Sequence, residues 1–389
     1  MASSKVISRA ALYELVWREP RTRLAKEFGV SDVALGKTCR AAGIPVPPPG
    51  YWAKKKAGKA PVAPPLPPRE PGVSEQLTFG LSSYQVALWL TDDELRNAEP
   101  VPPVFAEPLE SVRERIRPRL GKVSAPKSLN RPHRAIVRLL ADDDIRREKL
   151  KGMSYVFDWD KPRFESPLEQ RRLRILSAIF SALARFEAKP SVDRREAKDI
   201  SLQVGDQDVS LTLEPTPQKP RANEATGKTR LTLTIKGRHW LAEGGSDITF
   251  ADSDEGKLEA QLKAICEEIL VAGERQYREN MWRRYHLAIE RKQELEEEDR
   301  VRRETEARLE RERIEKAAQE RLQRLLDDAA AHEQAKQIRD YVEAVLAHLQ
   351  RLGPAAATDQ TAAWAEWARA QANAIDPITT ARGLPAEFC

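Results

Sequence analysis

The side chains best suited to chemistry in this 389-residue chain are bases gathered near its start. Residues 1–72 hold thirteen Lys and Arg against five Asp and Glu, a local charge of +8, although the whole chain carries only +5. The remainder is therefore −3, and the positive field belongs to the first fifth of the sequence. Arg21, Arg23 and Lys26 precede "SDVALGKTCR" (31–40), which contributes Lys37 and Arg40. A second group, "YWAKKKAGK" (51–59), adds Lys54, Lys55, Lys56 and Lys59 beside Tyr51 and Trp52. Amines and guanidinium groups at this density suit a polyanion, because each phosphate they neutralise releases condensed counterions.

Other groupings are weaker. "RANEATGKTR" (221–230) ends like a nucleotide-phosphate loop, yet Ala222 stands where that loop needs its first glycine. A helix should follow such a loop, whereas Leu231, Leu233 and Ile235 alternate as a strand. In "REAK" (195–198), Glu196 and Lys198 could join Asp206 or Asp208 in a metal-dependent nuclease site. Those aspartates stand in a turn sequence, where Asp is common for local reasons. "ADDDIRREK" (141–149) reads as a solvated, helix-capping charge run. His133, His239, His286, His332 and His348 are scattered, and Cys39, Cys266 and Cys389 show no zinc spacing. The expectation is a non-enzymatic chain with no cofactor and no metal.

The elements that must position the bases come next. Ser8 can cap a first helix whose apolar stripe holds Leu12, Leu15, Val16 and Trp17, and Glu19-Pro20 ends it. A second helix covers about Thr22–Phe28, with Leu24, Ala25 and Phe28 inward. Gly29 supplies a tight turn, and Ser31 caps a third helix to about Arg40, with Asp32 in its first turn. Gly36 inside that helix costs about 1 kcal/mol relative to alanine, so it asks for a reason. One reason would be close approach to a sugar-phosphate backbone.

"TRLAKEFGVSDVALGKTCR" resembles the helix-turn-helix of bacterial DNA-binding proteins: small Ala25, Gly29 four residues on, apolar Val30, then a capped helix. The likeness covers about residues 8–45. More loosely, the whole chain is similar to uncharacterised bacterial proteins that join this N-terminus to a charged helical tail. The first likeness implies double-stranded DNA as partner, with the third helix in a major groove. Ser31, Asp32, Val33, Gly36, Lys37 and Arg40 would then meet base edges or phosphates, while Leu35 and Thr38 face inward. Arg21, Arg23 and Lys26 would flank the phosphates. Lys54, Lys55, Lys56 and Lys59 would extend the contact along the backbone or into a minor groove. Tyr51 and Trp52 could stack there or cover the three-helix core.

The rest of the chain reads as a body behind that module. Residues 46–72 are dense in proline and should form an extended, semi-rigid arm and linker that sets a standoff. Residues 73–165 read as a mostly helical connecting region. A capping box at Ser166–Glu169 opens an amphipathic helix. Three alternating segments follow, around Ile200–Val204, Val209–Leu213 and Leu231–Ile235, with a turn at 205–208 and a candidate fourth strand at Ile248–Phe250. A helix through Leu258–Ile269 completes a two-layer α+β domain over 166–272.

Residues 274–352 form a long charged helix without a heptad, supported by i,i+4 pairs such as Glu296–Arg300, Glu304–Arg308 and Glu312–Lys316. A straight helix of that length would reach about 120 Å. Its closing stripe, from Leu322 and Leu325 to Val342 and Leu346, must pack on something. Residues 353–389 supply a C-terminal helix and tail, with Trp364 and Trp367 as partners for that stripe.

The fold expected is mainly α with a small α+β domain: a three-helix N-terminal unit, a central antiparallel sheet with helices, and a long charged helix. With 41% apolar and 32% charged residues, no run reaches membrane-spanning length, and no apolar leader is visible at the N-terminus. The expected location is cytoplasmic, at the nucleoid. The function expected is DNA binding as a regulator, or as recognition or scaffold subunit of a mobile-element or phage-defence assembly. A protein partner or a second copy would meet the long helix. The alternative is a three-helix docking unit for a protein partner.

Overall fold

The chain begins with a short strand, β1 (Lys5–Ser8), that feeds three helices: α1 (Arg9–Arg18), α2 (Arg21–Glu27) and α3 (Asp32–Ala41). The structure is a computed structural model and describes residues 5–79, 90–151, 157, 161–193, 196–216, 230–237, 246–353 and 359–380. The loop ending in Gly227-Lys228-Thr229, His239 and Cys389 lie outside the described residues. The chain divides into two compact units, Met1–Lys292 and Gln293–Cys389.

In the first unit, Ser8 caps α1 by accepting from the Ala11 N–H at 3.1 Å. Leu12, Val16, Leu24, Leu35 and Cys39 close a small core among the three helices. β2 (Gln76–Phe79), within a stretch expected to be helical, pairs antiparallel with β1 and lays Phe79 on Phe28 with ring centroids 4.7 Å apart. Four residues are too few to declare a strand period in sequence.

The proline-rich stretch differs most from expectation. Gly50, at φ +78°, turns the chain into a six-residue helix, α4 (Tyr51–Lys56), where an extended arm was expected. The stretch also lies against α1, so the structure gives it no role as a standoff. Trp17 Nε1 donates to the Pro45 carbonyl at 2.9 Å, Tyr13 to that of Pro64 at 2.9 Å, and Arg9 to that of Pro67 at 2.8 Å. Proline has no N–H but keeps its carbonyl, so such a segment offers acceptors that neighbouring side-chain donors can take up.

The body holds a five-stranded antiparallel sheet in the order β3-β4-β5-β6-β7: β3 (Lys189–Val192), β4 (Asp199–Val204), β5 (Gln207–Pro215), β6 (Leu231–Ile235) and β7 (Ile248–Ala251). β3 is an addition to the expected strands, on the sheet edge where its Pro190 is tolerated. Alternate residues Ile200, Leu202, Val204, Val209, Leu211 and Leu213 turn inward. They join one core with α6 (Leu109–Leu120), α7 (Arg134–Leu150), α8 (Pro167–Leu183) and the start of α9 (Leu258–Leu352). A short α5 (Asp92–Asn97) carries a full capping box at Thr91 and Glu94. In α8, Ser166 caps Glu169 at 3.2 Å, but the Glu169 carboxylate turns to Arg172 at 2.5 Å, so only half of the expected box forms.

Two further corrections concern charge and boundaries. Asp143, in the stretch expected to be solvated, is buried, and its carboxylate accepts from the Arg163 N–H at 2.8 Å and from Arg146 at 3.0 Å. α9 runs unbroken through Gly273, so the expected boundary between 272 and 274 falls inside one helix. The glycine is there for space: a Cβ at that position would lie 2.7 Å from Val204 Cγ1.

In the second unit, Ile338, Val342 and Leu346 of α9 pack with Trp364, Ala365 and Ala368 of α10 (Asp359–Ile375). Arg339 holds Asp376 at 2.6 Å. The earlier part of the expected stripe is not covered: Leu322, Leu325 and Leu326 are exposed, as is Trp367. Ion pairs along α9 form at three-residue as well as four-residue spacing, with Arg300 held by Glu297 at 2.7 Å and Glu304 at 3.0 Å. Among the described residues no helix is long and apolar enough to cross a membrane.

Candidate nucleic-acid interface

α3 is seated by its inner side. Leu35 and Cys39 are fully buried, and the Thr38 hydroxyl turns back to the Ala34 carbonyl at 3.2 Å. Burial pushes the Cys39 thiol up to about 11, so the group behaves as a small apolar side chain. Three- and four-residue steps from Val33 then lead through Gly36 and Lys37 to Arg40 along the opposite side, where Val33 is 65% exposed and Lys37 and Arg40 are exposed. Ser31 is committed to the cap, its hydroxyl accepting from the Ala34 N–H at 3.1 Å. The sequence brings Val33, Lys37 and Arg40 to one face because their spacing follows the helical repeat.

Asp32 and Arg21 do not act separately. Arg21 Nε donates to Asp32 Oδ1 at 2.6 Å and Nη2 donates to Oδ2 at 2.9 Å, a two-pronged pair that links α2 to α3. The mutual hydrogen bond holds the Arg21 pKa above its ordinary value and the Asp32 carboxyl below the usual range. The space over Gly36 belongs to the same guanidinium: a Cβ there would sit 3.0 Å from Arg21 Nη1 and 3.3 Å from Cζ. Gly36 therefore has a reason inside the protein. Its unfavourable position in a helix was the signal in the sequence, and the partner eleven residues from Asp32 was not legible.

The remaining bases separate into two kinds. Arg9 is buried and donates to the Ala42 carbonyl at 2.6 Å, and burial lowers its pKa. Arg69 reaches into the body, 2.6 Å from Glu274. Lys55 donates to the Trp17 carbonyl at the end of α1 at 3.1 Å and lies 5.0 Å from the Trp52 ring centre. Three consecutive lysines on a helix point about 100° apart, so Lys54, Lys55 and Lys56 cannot share one direction. Arg23 leans on Glu19 at 3.3 Å. Lys26, Lys37, Arg40, Lys54, Lys56 and Lys59 are exposed and have no acidic partner among the described residues.

Tyr51 is buried edge-on against Trp17 at 5.1 Å, and half-buried Trp52 meets Tyr51 edge-on at 5.2 Å. Both cover the three-helix core. The residues considered for a nuclease site lie at the two ends of β4. Glu196 is paired with Lys198 at 2.6 Å before Asp199, whereas Asp206 follows Val204 in the hairpin turn and accepts from the Ser74 N–H at 2.8 Å. Six residues of strand separate them by about 20 Å. Among the described residues no cluster of His, Cys, Asp or Glu could hold a metal ion.

Comparison with protein-family models, with curated proteins and with solved structures returns no match to this chain.

Proposed function

We propose that the N-terminal module binds double-stranded DNA as a helix-turn-helix, α3 lying in the major groove and Lys26, Lys54, Lys56 and Lys59 meeting phosphates around it. The observation that carries this reading is the outward face of α3. Val33, Lys37 and Arg40 stand together on it, and its one acid, Asp32, is neutralised by Arg21. With that carboxylate compensated from a neighbouring helix, the face presents only positive charge to a polyanion. In this reading the chain is a DNA-anchored regulator or recognition subunit, and the body and charged helix are left for protein partners or a second copy.

The test is salt-titrated binding of the full chain to labelled duplex. If about five of the six unpaired bases meet phosphates, affinity falls on the order of 10²–10³-fold between roughly 50 and 200 mM salt. Lys37→Glu combined with Arg40→Glu should abolish binding and leave the circular dichroism spectrum unchanged, because both side chains are exposed. Salt-independent binding, or a double variant that binds like the parent, overturns groove docking by α3.

A further inference from the structure

We propose, building on the DNA-binding reading, that Arg21 is a preoriented guanine reader: Asp32 holds its guanidinium side-on, Gly36 leaves room for it at the edge of α3, and its free end takes the O6 and N7 acceptors of one guanine. Arginine has five N–H donors in a planar fork. The two carboxylate contacts use Nε and one N–H of Nη2. The end-on edge, with Nη1 and the second N–H of Nη2, remains, and Nη1 has no acceptor among the described residues. Two parallel donors at that edge match the paired acceptors that guanine alone presents in the major groove.

Two features of the site, its fixed plane and the spare lysines around it, favour a base over a phosphate. The guanidinium lies over Gly36, at the edge of α3 next to the face that carries Val33, Lys37 and Arg40. It is held in one orientation: a fork can meet a tetrahedral phosphate from many directions, whereas it must meet a base edge in the plane of the base. The module also has unpaired lysines elsewhere for the phosphates, at 26, 54, 56 and 59. Asp32 is then a positioning residue rather than a reader of bases. A methyl group at Gly36 would crowd the fork, 3.0 Å from Nη1.

The experiment separates this proposal from the reading beneath it. A preferred site is first selected from randomised duplexes with the full chain. Each guanine in it is then replaced singly by 7-deazaguanine, which removes the N7 acceptor and leaves base pairing intact. The parent should lose about tenfold to a hundredfold in affinity at one guanine and little at the rest. Arg21→Met removes every donor at that position, so it should bind the selected site more weakly and show no penalty at that guanine. Asp32→Asn, which keeps one of the two contacts at most, should shrink the same penalty and keep the overall salt dependence.

If the parent tolerates 7-deazaguanine at every position, or if the penalty survives in Arg21→Met, the guanine contact is overturned although DNA binding stands. A loss of thermal stability in Arg21→Met with the penalty intact would reduce Arg21 to a structural tie between α2 and α3. Absence of duplex binding by the parent overturns both proposals.

Discussion

Arg69 and Glu274 stand 205 residues apart and meet at 2.6 Å, and this contact fixes the end of the proline-rich stretch to the body. Glu274 is fully buried, and its carboxylate also accepts from Arg278 at 2.9 Å and from the Gly72 N–H at 3.1 Å. The Arg69 guanidinium lies 4.3 Å from the Tyr277 ring centre and donates to the Val73 carbonyl at 2.6 Å. Three donors converge on one carboxylate in the interior. Removing its charge leaves two guanidinium groups facing each other with no anion between them. Breaking a buried pair in this way costs about 3–5 kcal/mol, far above the value of a surface pair.

Glu274→Gln is therefore expected to destabilise the first unit by about 3 kcal/mol, and Arg69→Met by about 2–3 kcal/mol because Arg278 and Gly72 still serve the carboxylate. The double variant should lose less than the two together, with a coupling of about 2 kcal/mol. Urea unfolding followed by near-ultraviolet circular dichroism measures all three. Tryptic cleavage at the Arg69–Glu70 bond gives a local readout, and it should accelerate in Glu274→Gln before global unfolding begins. Burial acts to raise the Glu274 pKa, but the Arg69 hydrogen bond and charge, with Arg278 and the Gly72 N–H, outweigh it and hold the group below its ordinary 4.5. A depressed carboxylate stabilises the fold above its unfolded pKa and loses that contribution as pH falls through the folded value. The advantage of the parent over Glu274→Gln should thus be full at neutral pH and shrink below pH 4.5. Single variants that each cost under about 1 kcal/mol and add without coupling would refute the buried pair, since those are the values of a solvated contact.

Two other expectations follow from the packing. Gly273→Ala should cost about 1–2 kcal/mol despite the higher helix propensity of alanine, because its Cβ would press on Val204 of β4; Val204→Ala in the same chain should recover most of the loss, and stabilisation by the single change would refute the contact. Cys39 and Cys266 are buried, their thiols pushed up by burial to about 11 and about 12, so neither should react with a chromogenic disulfide in the native protein and both should react once urea unfolds it.

The parts of the fold legible in the sequence are those where one face of an element is buried and the period is long enough to declare it. α8 and the opening turns of α9 carry Leu173, Ile179, Leu262 and Ile269 at helical spacing, and β4 and β5 alternate for five residues or more before and after the Gly205 turn. β2 and β3 span four residues each, too short for a period, and β3 contains a proline. α4 was hidden because prolines at 45–49 and 61–68 bracket it, and only Gly50 marks the turn into it. The run through Gly273 is hidden for a related reason: a glycine in a helical pattern reads as a stop, whereas here it admits a neighbouring strand. For the site, the outward positions of α3 followed from helical spacing. The partners of Arg9, Arg21, Lys55 and Arg69 did not, because each depends on a carbonyl or carboxylate brought near by tertiary structure.

Those four bases change what the charge of the N-terminal region means. A local excess of +8 counts cations without regard to direction, yet Arg9 and Arg69 are turned inward, Arg21 is tied to Asp32, and Lys55 is spent on the end of α1. The bases left for a polyanion are fewer, but they are better fixed. Residues 45–69 are bound to α1 through three carbonyls and to α9 through Arg69, so Lys54, Lys56 and Lys59 belong to the same folded module as Lys37 and Arg40. A flexible arm would lose conformational entropy each time it followed a phosphate backbone. Here folding has already supplied that ordering, and the donors are side chains whose own removal would loosen the arm. On the DNA-binding reading, Tyr13→Phe and Trp17→Phe would weaken binding without removing a single charge, and that makes the wrapped proline segment part of the interface rather than a spacer behind it.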